Sequence, residues 1–164
     1  MQADRLPPYD LAAEESVIGS LIIDSNSLTG VVDFLDPEDF YRESNRLCFE
    51  ATLAIFRRGE AIDQVTLTRE LEATGKFSED FKPGYLSFAA SVTPTSVHIE
   101  HYGRIVQRTS ASRQLTRAGV AIADIGYSDP VDPHSAIIES EQLLSEIFVK
   151  VAEGHRLMSV AEIL

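Results

Sequence analysis

SVHIEHYGRIVQRTSASRQLTRAGVAIADI, residues 96–125, is the stretch whose reading decides the fold. It holds no proline, and Ile99, Tyr102, Val106, Ala118, Ile122 and Ile125 keep the beat of an α-helix. At 1.5 Å per residue such a helix would be about 45 Å long, longer than a small head domain needs. Gly103 and Gly119 lie inside it. Each costs up to about 1 kcal/mol against alanine, which predicts that both permit close packing. The helix breaks at Gly126-Tyr127-Ser128-Asp129-Pro130, and Asp132-Pro133 then caps a second one running to about Ala152. Ile137, Leu144, Ile147, Phe148 and Val151 form the apolar side of that second helix. A two-helix hairpin has no interior of its own, so its apolar stripe must be buried against the head or against another chain. Self-association is therefore a physical expectation, and Ile99, Tyr102, Val106, Ile122, Ile137, Leu144, Ile147 and Phe148 are the candidate interface.

Working back toward the start, the texture is that of several shorter helices. Leu6-Pro7-Pro8-Tyr9-Asp10 reads as an extended lead-in, since each proline disfavours helix in the residue before it. Asp10 caps a helix with Glu14 and Glu15 in its first turn, where negative charge suits the helix dipole. Val17, Ile18, Leu21 and Ile22 give its apolar face, and Asp24-Ser25-Asn26-Ser27 ends it. A second, shorter helix is predicted on Leu28, Val31, Val32 and Leu35, and a helical turn at Asp36-Pro37-Glu38-Asp39 anchored by Phe40 and Tyr41. A longer one runs from about Ser44 to Arg58 and ends at Gly59. Asp63 caps the next, which ends at Gly75, with Phe77 and Phe81 pinning the loop beyond it. Pro83-Gly84 starts a short helix, Tyr85 to Val92, closed by Thr93-Pro94. Nothing alternates polar and apolar long enough to demand a strand, so the predicted fold is all-α: a globular multi-helix head, residues 1–94, then a long helical hairpin, residues 95–153.

Charge narrows the function classes. The net charge is −12, and duplex binding draws most of its affinity from lysine and arginine, so DNA is not expected as a strong direct ligand. Arg104, Arg108, Arg113 and Arg117 do step by about one helical turn. They read either as a docking or phosphate-facing stripe or as a solvated helix face. No apolar run approaches the ~18 residues of a membrane span, and the start lacks the features of a signal peptide. The single cysteine, Cys48, cannot form an internal disulfide and reads as a core residue; the cytoplasm is the expected compartment.

Catalytic motifs are missing. The one Gly-Lys pair, Gly75-Lys76, is followed by Phe77 and preceded five residues earlier by Glu70, so it fails the phosphate-loop pattern twice. His98 and His101 stand three apart with Glu100 between them, a spacing that could share a metal, but no second pair supports them and they read as surface residues. Asp36, Glu38, Asp39, Glu79 and Asp80 read as caps and solvated turns. No catalytic, cofactor-binding or metal-binding residue is assigned, and no enzyme activity is expected of this chain.

Taken in order, the pieces resemble the amino-terminal domain of the bacterial replicative DNA helicases of the DnaB family. Leu6-Pro7-Pro8-Tyr9-Asp10-Leu11-Ala12-Ala13-Glu14-Glu15-Ser16-Val17-Ile18-Gly19-Ser20 resembles that domain's opening, a proline pair followed by an acidic A-E-x-S-V-L-G helix. Asp39-Phe40-Tyr41-Arg42 through Phe49-Glu50-Ala51 looks like the next landmark, and Ile62-Asp63-Gln64-Val65-Thr66-Leu67 the one after. Gly84-Tyr85-Leu86, Thr93-Pro94 and Tyr102-Gly103-Arg104-Ile105-Val106 complete the order. Two positions depart: the loop before Tyr85 usually has two glycines where Pro83-Gly84 stands, and Gly103 occupies a position where alanine is common.

The resemblance implies more than the residues show. It implies a non-catalytic collar, dimeric or hexameric, in which hairpins pair between neighbours and which docks primase or helicase-loading proteins during DNA replication. It also implies that residues 154–164 begin a linker to a motor domain, outside this chain, that uses ATP and Mg to unwind DNA. The competing expectation is a stand-alone phage, plasmid or cellular all-helical adaptor that mimics the collar.

Overall fold

The structure, a computed structural model, describes residues 5–76 and 84–161, with side chains as far as residue 152. Phe77, Phe81, Pro83, Glu79 and Asp80 lie outside the described residues, as does the end of the chain beyond Ala161. Six α-helices and two short 3-10 segments make up the regular structure of the described residues, as expected for an all-α chain. Two compact units are distinguished: Tyr9–Ser110, and a second made of Met1–Pro8 with Ala111–Leu164.

In the head, local chemistry sets each helix end. α1 (Leu11–Ile23) starts at Asp10, whose carboxylate accepts from the Ala13 amide at 2.9 Å, and stops at Asp24. α2 (Glu43–Arg57) ends where Gly59, at φ +70°, donates to the Phe56 carbonyl and Glu60 closes back onto Ile55. α3 (Gln64–Ala73) is capped by Asp63, which accepts from the amides of Val65 and Thr66, both at 2.8 Å. α4 (Tyr85–Val92) is closed by Thr93, whose hydroxyl donates to the Ala89 carbonyl at 2.8 Å. The predicted α-helix on Leu28–Leu35 is instead a 3-10 segment, Ser25–Gly30, followed by turns. Leu28, Val31 and Leu35 still reach the core, because the turns beyond Gly30 keep helix-like bonds from the Val32 amide to the Leu28 carbonyl and from the Leu35 amide to the Val31 carbonyl, which hold these three- and four-residue steps on one side.

One core gathers Val17, Ile18 and Leu21 of α1, Phe49 and Ile55 of α2, Leu67 and Leu71 of α3, and Leu86 and Ala89 of α4. Cys48 is buried within it, as the sequence suggested. The first turns of α5 (Ile99–Tyr127) close the same core through Ile99 and Val106.

The second unit contains the rest of α5 and α6 (Pro133–Ala161). Asp132 caps α6, accepting from the His134 amide at 3.1 Å and from the Ser135 hydroxyl. Helix continues nine residues past the expected stop at Ala152, with no break between hairpin and the segment expected to begin a linker. Burial follows a four-three alternation on both helices: Gln114, Ala118, Ala121 and Ile125 on α5, and Ala136, Ser140, Leu143 and Ile147 on α6. That is the period of two helices meeting along one seam. At the turn, Ile125 and Ser128 share a shallow groove with Ser135, Ala136 and Glu139.

Candidate self-association surface

The eight residues expected at an interface separate into three groups. Ile99 and Val106, 4% and 0% exposed, are spent in the head core and have no area left to bury against a partner. The first turns of α5 are a wall of the head, and their apolar stripe is covered from within. Tyr102 packs half-buried against the same core, while Ile122 and Ile147 are half-buried within the hairpin unit. Ile137, Leu144 and Phe148 remain open, 58%, 47% and 73% exposed.

These three share a face. Ile137, Glu141, Leu144 and Phe148 repeat the four-three alternation one position on from the buried seam, so α6 carries two adjacent stripes, one covered and one open. An isolated exposed leucine needs no explanation, but a run of large apolar side chains at coiled-coil spacing is the pattern of a helix with a second neighbour. Sequence periodicity alone had merged the two stripes, because both lie on the same broad apolar side of the helix. Gly119, expected to allow close packing, has nothing within 4 Å of where its Cβ would stand, so that expectation holds for Gly103 and not, within this chain, for Gly119.

The arginine stripe does not form either. Arg104 lies over the Phe34 ring, 3.6 Å from its centroid, and Arg113 is buried and donates to the Pro8 carbonyl at 2.9 Å. Only Arg108 and Arg117 are exposed. Elsewhere in the head, basic side chains meet carboxylates: Arg42 with Glu15 at 2.6 Å, Lys76 with Glu50 at 2.7 Å, and Arg58 with Glu60 and Glu70. The Arg58 hydrogen bonds hold the Glu70 carboxyl below the usual carboxylate range. His98 and His101 are both exposed. Among the described residues no group of three or more His, Cys, Asp or Glu side chains could hold a metal ion. Also among the described residues, no helix is long and apolar enough to cross a membrane.

One polar site was missed from sequence. Glu14, read as a dipole-facing residue, is fully buried. Its carboxylate accepts from the amides of Tyr41 at 2.7 Å and Arg42 at 3.2 Å and from the Asn45 side chain at 2.9 Å. It thereby caps α2 from a neighbouring helix. The Tyr85 hydroxyl donates to the other end of Asn45, extending the network to α4. The only signal available in the sequence was a glutamate beside Ala13 and Val17 on the apolar side of its helix.

Together these features define an all-helical head joined to a helical hairpin with an open apolar face. The profile described as "DnaB-like helicase N terminal domain" matches residues 6–108, nearly the span of the compact head, and the chain belongs to that family. It is 35% identical over 152 residues to the replicative DNA helicase DnaB of Geobacillus stearothermophilus, covering 93% of this chain and 34% of that protein. Against the replicative DNA helicase DnaC of Bacillus subtilis it is 36% identical over 144 residues, 88% of this chain and 32% of that one. The chain therefore spans about a third of the length of these relatives. The crystal structure of the N-terminal domain of DnaB helicase from Mycobacterium tuberculosis superposes with a TM-score of 0.82 at 30% identity, over 87% of this chain and 99% of that one.

Proposed function

We propose that this chain is the non-catalytic amino-terminal collar of a replicative DNA helicase, which holds subunits together and docks primase or helicase-loading proteins. The observation that carries the reading is the open stripe of Ile137, Leu144 and Phe148 on α6, beside a covered stripe of the same period. Burying side chains of this size favours association by roughly 1.5–3 kcal/mol each, and a symmetric partner hairpin presents the same stripe in return. Membership of the helicase family supports the setting. ATP binding, Mg chemistry and unwinding then belong to the remainder of the helicase, and this part acts by positioning. The acidic surface and the pairing of head arginines with carboxylates fit protein partners better than a phosphate backbone.

Sedimentation equilibrium of the 164-residue chain over a wide concentration range tests the proposal. The expected result is a dimer or hexamer, with Leu144→Glu and Phe148→Glu each weakening association at least about tenfold while circular dichroism keeps its helical signal. A strict monomer, or unchanged assembly in both variants, would overturn it.

A further inference from the structure

The two helices of the hairpin repeat one offset. A step of one residue past the covered seam gives Leu115, Gly119, Ile122 and Gly126 on α5, and Ile137, Glu141, Leu144 and Phe148 on α6. One residue turns a helix by about 100°. The helices run antiparallel, so from one end they wind in opposite senses, and equal steps carry both stripes to the same side of the hairpin. A step the other way leads to Arg117 and Asp124 on α5 and to Glu139 and Glu146 on α6, the opposite side. The groove at the turn agrees, since Asp124, Ser135 and Glu139 line it together. Charge is thereby divided. Within the two open stripes Glu141 alone is charged. In a chain of net charge −12 that side is the one two copies can bring together with little repulsion, whereas a basic partner would be drawn to the other.

On α5 the open stripe alternates large and small, with Leu115 54% exposed and both glycines exposed. A glycine inside a helix weakens it relative to alanine. Elsewhere in this chain the weakness is offset by close packing: a Cβ on Gly19 would stand 2.0 Å from a neighbour, and one on Gly103 2.8 Å. At Gly119 and Gly126, about two turns apart, nothing lies within 4 Å. These are helix-weakening positions that the chain's own fold does not use. The same side of the hairpin carries the groups that would fill them, Leu144 and Phe148, 47% and 73% exposed. Notches and knobs on one surface are self-complementary about a two-fold axis.

On the strength of the self-association reading, we infer that Gly119 and Gly126 are the notches of that interface: a second copy lays its α6 across α5, its large apolar side chains reach the glycine backbone, and the exchange is reciprocal. Sedimentation equilibrium of the full chain carrying Gly119→Leu, Gly126→Leu or Val120→Leu tests this. Leucine is a strong helix former and both notches are open within one chain, so thermal melts at dilution should not fall below the parent. Gly119→Leu and Gly126→Leu should each weaken association at least about tenfold by overpacking. Val120→Leu, on the opposite side, should leave it unchanged. If both glycine variants assemble as tightly as the parent or more so, while Leu144→Glu and Phe148→Glu still weaken assembly, the notches are refuted and the self-association reading stands. Equal weakening by Val120→Leu would also overturn the inference, because the effect would then not belong to this side. A parent that stays monomeric at every concentration overturns both.

Discussion

Glu14 shows how much one side chain can carry. Its three acceptor contacts tie down the entry to α2, the amides of Tyr41 and of the N-cap Arg42 and the side chain of Asn45, and a buried carboxylate survives only because those donors replace water. Glu14→Gln keeps the shape but turns an NH2 donor toward other donors, and should cost about 2–3 kcal/mol; a urea midpoint within error of the parent would show that the carboxylate charge is not needed. Cys48 gives a pH signature. Burial pushes its thiol from 9.0 up to about 12, and burial first of all raises Tyr85 from 10.0 to about 12. The native state keeps both protons while the unfolded chain gives them up near the ordinary values. Their contribution is therefore complete below about pH 9 and is lost as pH rises toward 12. Stability should fall by up to about 1.4 kcal/mol per pH unit for Cys48 alone, with a smaller share from the partly buried Tyr85. Urea melts at pH 8, 9, 10 and 11 measure it, and Cys48→Ala should flatten the slope.

Among elements, the tightest joint lies between α1 and α4. A Cβ on Gly19 would stand 2.0 Å from the Thr93 hydroxyl oxygen and 2.3 Å from the Ala89 carbonyl oxygen, so the two helices could meet no closer with any other residue there. On Gly103 the same Cβ would meet Val31 Cγ1 at 2.8 Å and the Phe34 ring at 3.2 Å, side-chain atoms that must give way but no backbone. Gly19→Ala should therefore cost about 3 kcal/mol or more by forcing the helices apart, and Gly103→Ala about 1 kcal/mol or less. Thermal melts of the two variants rank them, and a reversed order would mean that the α1–α4 joint yields more readily than its backbone contact suggests. Both glycines look alike in the sequence, each a small residue inside a helix. The difference is whether backbone or side chain faces the missing methyl.

At the scale of the whole molecule, a net charge of −12 must be held together when copies associate. If the contact is the apolar stripe of α6, salt screens the repulsion and leaves the attraction, so the sedimentation experiment repeated at higher ionic strength should show tighter association. Weaker association with salt would point to ion pairs in place of the stripe. The amino-acid sequence by itself determined the all-helical class, the head-then-hairpin order, and the helix starts at Asp10, Asp63 and Asp132 with stops at Gly59 and Gly75. Those features depend on hydrogen bonds and torsions within a few residues of one another. Only the tertiary structure decided that Ile99 and Val106 serve the head, that Ile137, Leu144 and Phe148 stay open, that Glu14 caps a neighbouring helix, and that Arg113 grips Pro8. Each of these pairs residues from tens of positions to more than a hundred positions apart, or chooses between two apolar stripes of equal period. Helical periodicity shows that a face is apolar, and what covers that face depends on which elements the folded chain brings against it.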